Sequence, residues 1–201
     1  MDFLSANIKE IIAIPLSYLI GCITTGYYLV RYRTGEDIRK IGSESVGATN
    51  VKRVLGWRGF FITLIGDAVK GLITVGGSVY FNLEMLGIII VFILVIIGHI
   101  WPFQLNFRGG KGIATFIGAL LIFDYQLSLI IVMIFGVLLL LSRKYTLSGL
   151  IAIILTPLFA FILGHPLMAI IGITIIDVII LIAHRDNIRA ILQSFQYHHN
   201  T

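Results

Sequence analysis

The run GIATFIGALLIFDYQLSLIIVMIFGVLLLLS, residues 112–142, decides the fold. It holds 31 residues and one charge, Asp124. A helix needs about 20 apolar residues to cross the hydrocarbon of a bilayer. The run is therefore one long tilted helix or two helices hinged at Phe123-Asp124-Tyr125-Gln126. Its neighbours have the same character. Residues 11–30 carry no charge, 59–83 only Asp67 and Lys70, 85–107 none, with a loop starting at Pro102. Residues 145–183 carry only Asp177 and are broken at Gly164-His165-Pro166. Runs this long favour helices over strands, and the alternation of a membrane-spanning barrel is absent.

Composition agrees. Hydrophobic residues are 58% of the 201 and charged residues 12%, with mean hydropathy +0.99; soluble domains carry about 45–50% and about 25%. One cysteine, Cys22, excludes a disulfide scaffold and reads as a packing residue. Residues 1–10 lack the basic region of a cleaved signal peptide, so the first run reads as a span. The net charge of +5 is a matter of topology rather than of nucleic-acid binding, since no RNA-binding or zinc-finger pattern accompanies it.

Charge placement resolves the hinge. With two helices in each of the last two runs, the chain has seven spans and its N-terminus outside. The cytoplasmic side then holds Arg31, Arg33, Arg39, Lys40, Lys52, Arg53, Arg58, Arg108, Lys111, Arg143, Lys144, Arg185 and Arg189, which is 13 of 15 basic residues. Lys9 lies outside and Lys70 within a span. A single helix over 112–142 reduces the split to 9 inside and 5 outside. The expectation is an all-α polytopic membrane bundle of about seven spans, N-terminus outside and C-terminus cytoplasmic. The 12 residues 112–123 are short for a crossing and need help from neighbours or local thinning. The whole chain reads as one transmembrane domain with three cytoplasmic segments, 31–58, 102–112 and 184–201, so chemistry belongs at the inner membrane surface.

The first segment contains Gly42-Ser43-Glu44-Ser45-Val46-Gly47-Ala48-Thr49-Asn50-Val51-Lys52-Arg53. Glycines turn backbone N–H groups toward an anion, hydroxyls add donors, and Arg53 can grip phosphate with its planar fork. An ordinary loop with Thr49 or Asn50 as helix N-cap reads equally well. The second contains Phe107-Arg108-Gly109-Gly110-Lys111-Gly112-Ile113-Ala114-Thr115 at the start of a helix. Free N–H groups, the positive end of a helix dipole and a lysine favour an anion; the spacing is not that of a nucleotide-binding Walker loop. The third contains His184-Arg185-Asp186-Asn187-Ile188-Arg189, with His184 and Asn187 three apart and on one helix face. His184 can carry a proton or anchor the helix at the interface. Asp67 and Lys70 can pair within their span. His99 reads as structural, His165 as a turn residue, and His198 and His199 lack a ligand set, so no metal site is expected. Asp177 lies two turns before His184 on a similar face.

Together the three segments resemble the bacterial acyl-phosphate:glycerol-3-phosphate acyltransferases, the PlsY family. The family's motifs look like Gly-Ser-Gly-Asn-x-Gly-Ala-Thr-Asn-Val-x-Arg, Phe-x-Gly-Gly-Lys-Gly-x-Ala-Thr and Arg-His-Arg-x-Asn-Ile, matched here at 42–53, 107–115 and 183–188. Asp67-x-x-Lys70-Gly71 and Gly98-His99-x-x-Pro102 also look familial. Glu44-Ser45 replaces Gly-Asn, and Ala183 replaces arginine. A carboxylate at 44 weakens anion binding unless it points away.

The resemblance implies acyl transfer from a fatty acyl phosphate to glycerol-3-phosphate, giving lysophosphatidic acid and inorganic phosphate at the start of phospholipid synthesis. It implies the bacterial inner membrane, no cofactor, no metal, and coupling to an enzyme that makes acyl phosphate. It carries over Ser43, Arg53, Lys111, His184 and Asn187 as catalytic residues. Gly47, Thr49, Asn50, Gly109, Gly110 and Gly112 follow as substrate-binding residues. His184 or a substrate phosphate oxygen takes the hydroxyl proton. The competing readings are a non-catalytic paralogue and a small-anion transporter.

Overall fold

A computed structural model describes residues 2–199 of the chain, and the side chains of residues 8–193. The side chains of His198 and His199 lie outside the described residues. Among the described residues there are ten α-helices, two short 3-10 helices at Ile38–Lys40 and Phe103–Leu105, and no strand; only the α-helices are numbered. They are α1 Asp2–Gly21, α2 Thr25–Thr34, α3 Ala48–Tyr80, α4 Met85–Ile100, α5 Ile113–Phe123, α6 Tyr125–Ser142, α7 Tyr145–Ile154, α8 Thr156–Ile162, α9 Leu167–Ala183 and α10 Arg185–His199.

The all-helical membrane fold read from the sequence is the one observed. Four segments are long and apolar enough to cross unaided: Ala48–Tyr80, Met85–Leu105, Tyr125–Ser142 and Tyr145–Ile162. Two more are bent pairs, Ile8–Gly21 with Thr25–Thr34 at 41° and Leu167–Ala183 with Arg185–Gln193 at 64°. The 112–142 run is two helices, parted at Asp124, whose backbone is extended (φ −157°, ψ 110°).

Three boundaries differ from expectation. The first run is not one helix, because Cys22-Ile23-Thr24 interrupts it. The last run has an added break before Pro157, whose ring and missing N–H oppose a continuous helix. Helix α3 starts well before residue 59, but Gly56 (φ 66°, ψ −163°) divides it. Beyond Gly56, Trp57, Phe60 and Phe61 form an aromatic cluster, with the Lys52 ammonium 3.4 Å from the Trp57 ring centroid. Exposed Tyr80 and Phe81 mark the other end. Aromatics collect at membrane interfaces, and the stretch 57–80 covers about 36 Å at 1.5 Å per residue.

The chain forms two compact units, 1–125 and 126–201. In the first, α3 packs on α5 and α1 on α4. At Gly21, Gly71, Gly98 and Gly118 an added Cβ would strike backbone of the facing helix. Small residues allow such close approach between membrane helices. Helix α5 spans about 16 Å, short of a crossing; Thr115 meets Gly71 partway along α3, so neighbours do support the short helix. In the second unit α9 presents a buried stripe of Ala169, Gly172, Ile173, Ile176, Asp177 and Ile180.

Candidate active site

Asn50 organises the first motif. It is 1% exposed. Its Oδ1 accepts from the Ser43 N–H (3.1 Å), and its Nδ2 donates to the carbonyls of Ile41 (2.8 Å), Ser45 (2.9 Å) and Ile38 (3.4 Å). Both ends of the amide are engaged inside the loop, so Asn50 serves as the loop's scaffold rather than as a substrate donor. The N-cap of α3 is Gly47, not Thr49 or Asn50; its carbonyl accepts from the N–H groups of Asn50 and Val51. Thr49 is exposed in the first turn. Gly42 has φ 61°, and a Cβ there would strike Asn50 Oδ1 and come within 3.0 Å of Arg53 Nη1. Ser43 and Arg53, both exposed, therefore flank one scaffold. Glu44 adopts φ 56°, a left-handed conformation that favours glycine.

The second motif doubles back over the end of α4. The Gly109 N–H donates to Ile100 O and the Gly110 N–H to His99 O, each at 3.0 Å. These two groups were expected to be free for an anion; instead α4 takes them. The glycines answer packing, since a Cβ at 109 would strike the His99 carbonyl and one at 110 the His99 ring. What remains for an anion is the first turn of α5. Gly112, at φ 89°, turns the chain into the helix. The ladder opens with Phe116 N–H to Gly112 O. A helix start leaves its first N–H groups, here of Ile113, Ala114 and Thr115, without intrahelical partners at the positive end of the dipole. Lys111 stands half-buried beside them, and the buried Thr115 hydroxyl has no hydrogen-bond partner.

Arg39 joins the segments 31–58 and 102–112 that carry the two motifs. Its Nη1 donates to Leu105 O (2.7 Å), and Nε and Nη2 fork onto Asp37 Oδ1 and Oδ2 (2.9 and 2.7 Å). The guanidinium also lies 5.0 Å from the Tyr27 ring centroid. The Arg39 hydrogen bonds hold the Asp37 carboxyl below its ordinary pKa, and Asp37 in turn raises that of Arg39. The sequence reading gave Arg39 only a topological role. The expected Asp67–Lys70 pair is formed at 3.2 Å.

In the second unit, buried His184 caps α9, and its carbonyl accepts from the Ile188 N–H (2.9 Å). It is the joint of the 64° bend, so His184 and Asn187 do not share a face of one continuous helix as expected; Asn187 sits in the first turn of α10. His184 Nδ1 lies 2.8 Å from Ile180 O. A carbonyl can only accept, so Nδ1 carries a hydrogen. Asp177, 3% exposed, has neither carboxylate oxygen hydrogen-bonded.

Residues 11–194 match the glycerol-3-phosphate acyltransferase family. A protein of Desulfitobacterium hafniense (strain Y51) named glycerol-3-phosphate acyltransferase 1 is 43% identical over 187 residues, 93% of each chain. The glycerol-3-phosphate acyltransferase of Ruthia magnifica is 39% identical over 92% of this chain and 93% of its own. Two crystal structures of PlsY, an integral membrane glycerol 3-phosphate acyltransferase, share the fold. The glycerol 3-phosphate form aligns with TM-score 0.87 at 29% identity, covering 92% of this chain and 93% of that one. The lysophosphatidic acid form aligns with TM-score 0.84 at 27% identity and the same coverage. Motifs, helical plan and likeness over nine-tenths of the chain agree: this protein belongs to the glycerol-3-phosphate acyltransferase family.

Proposed function

We propose that this membrane enzyme transfers a fatty acyl group from acyl phosphate to glycerol-3-phosphate, giving lysophosphatidic acid and inorganic phosphate for phospholipid synthesis. The observation that carries the reading is the 0.87 match to PlsY in its glycerol 3-phosphate form. The bond from Arg39 to Leu105 O, which ties the segments carrying the two anion-suited motifs, supports it. The glycerol hydroxyl attacks the acyl carbonyl carbon, the bond to the bridging phosphate oxygen breaks, and phosphate leaves. Acyl phosphate is an activated mixed anhydride, so the chemistry needs no cofactor and no acyl-enzyme. Lys111, Arg53 and the α5 N-terminus stabilise phosphate charge. Ser43 adds a hydroxyl donor, and Gly42, Gly47 and Asn50 hold its loop. With Nδ1–H donated to Ile180 O, His184 in its neutral form accepts the hydroxyl proton at Nε2, and Asn187 orients the reacting groups.

The protein sits in the bacterial inner membrane with seven spans, N-terminus outside and C-terminus inside, as a single functional domain. An enzyme that makes acyl phosphate supplies its donor. The test is phosphate release by purified protein given acyl phosphate. Release that depends on glycerol-3-phosphate supports transfer, whereas uptake of the anion into vesicles without acylation indicates a transporter.

A further inference from the structure

We propose that Asp67, Lys70 and His99 are positioning residues, a buried scaffold that sets the place of Lys111 and the first turn of α5. The proposal rests on reading that turn as a phosphate-binding end of the site. All three side chains are buried within the first unit. Lys70 Nζ donates to the carbonyls of Gly21 (3.0 Å) and Ile23 (2.9 Å), pairs with Asp67 Oδ1 at 3.2 Å, and lies 2.7 Å from His99 Nδ1. Asp67 Oδ1 also accepts from the Thr25 N–H at 3.3 Å. One ion pair thus satisfies the backbone exposed by the break between α1 and α2, where unpaired carbonyls would be costly in a membrane.

The consequence for the site runs through His99. An ammonium offers only hydrogens, so His99 Nδ1 accepts and Nε2 carries the ring hydrogen. That Nε2 edge abuts Gly110, where an added Cβ would strike it, and the His99 carbonyl holds the Gly110 N–H at 3.0 Å. Gly110 directly precedes Lys111. The ring is therefore fixed by Lys70 on one side and props the loop on the other. A misplacement of about 1 Å at a reacting centre can cost 10²-fold in rate. An apolar pair at 67 and 70 would fill the space but would leave the ring free to turn.

The test pairs kinetics with a measurement on the unaltered protein. His99→Asn keeps an acceptor for Lys70 and removes the ring edge from Gly110. It should raise KM for glycerol-3-phosphate about tenfold or more, the scale of losing one charge-assisted contact, and by a larger factor than it lowers kcat. Lys111→Ala is run beside it. If Lys111→Ala raises KM and folded His99→Asn does not, the scaffold proposal is overturned while the site reading stands. If Lys111→Ala leaves KM unchanged, the site reading fails and the proposal with it. Should His99→Asn not fold, nitrogen NMR of ring-labelled histidine in wild-type protein decides. A neutral Nε2–H ring whose Nε2 resonance moves with added glycerol-3-phosphate supports the scaffold; one unmoved at saturation overturns it.

Discussion

Arg39→Met keeps the side-chain stem and removes the fork. The variant loses the fork onto Asp37 and the bond to Leu105 O that ties segment 31–58 to segment 102–112. Asp37 still caps the following turn through the Arg39 backbone N–H (3.0 Å). The two side chains are 19% and 18% exposed, so the ion pair is partly screened. An exposed pair contributes about 0.2–1 kcal/mol, and a hydrogen bond to a charged group about 1.5–3 kcal/mol. Taking the lower part of each range gives about 2 kcal/mol for the tie. At 1.4 kcal/mol per factor of ten, the ceiling on the rise in KM for glycerol-3-phosphate is about 30-fold. Arg39→Lys keeps charge but not the planar fork and should fall between. Asp37 adds a pH signature. Its folded pKa is depressed, so its stabilisation is present above the ordinary carboxylate value of about 3.9. That stabilisation is lost as pH falls through the lower folded value. Wild-type unfolding temperature should fall across that acid window, and Arg39→Met should flatten the fall. Phosphate-release kinetics and thermal unfolding read both effects. A folded Arg39→Met protein with wild-type KM and an unchanged acid limb would refute the reasoning.

Gly110→Ala should lower stability by about 1–3 kcal/mol through overpacking against the His99 ring, and combining it with His99→Ala should lessen the loss; equal unfolding temperatures for wild type and Gly110→Ala would contradict the packing argument. Glu44→Gln should lower KM for both anionic substrates several-fold at low salt, with the gap closing as salt rises; no gap at low salt means that Glu44 points away. Glu44→Gly should further relax the left-handed backbone at φ 56°, a gain of under about 1 kcal/mol once glycine's own entropy is counted, readable by thermal unfolding. His184→Gln should reduce kcat by about 10²–10⁴, whereas a loss below tenfold would move proton transfer to a substrate phosphate.

The hinge at Asp124 was legible because one charge inside 31 residues has few places to go, and positive-inside counting chose among them. The break at 22–24 was not. Gly21 and the N-cap Thr24 bracket it only weakly within an uncharged run, and the carbonyls of Gly21 and Ile23 are held by Lys70, 49 and 47 residues away in sequence. Gly109 and Gly110 could be read as sites of close backbone approach, but not what approaches, which is the end of α4 rather than an anion. Asn50 was visible in its motif, yet the direction of its amide depends on how residues 38–45 curl around it. Arg39 offers only the Asp-x-Arg spacing to local reading, and its bond to Leu105 crosses 66 residues. For His184 and Asn187 the spacing assumed an unbroken helix, and the bend lies at His184 itself.

The central claim is a coupled transfer between two anionic substrates. Purified protein in lipid nanodiscs should be given acyl phosphate with and without glycerol-3-phosphate, and phosphate and lysophosphatidic acid measured together. The account predicts the two products in equal amounts, and only when both substrates are present. Phosphate released at the same rate without glycerol-3-phosphate, or glycerol-3-phosphate bound with no lysophosphatidic acid formed, would contradict it.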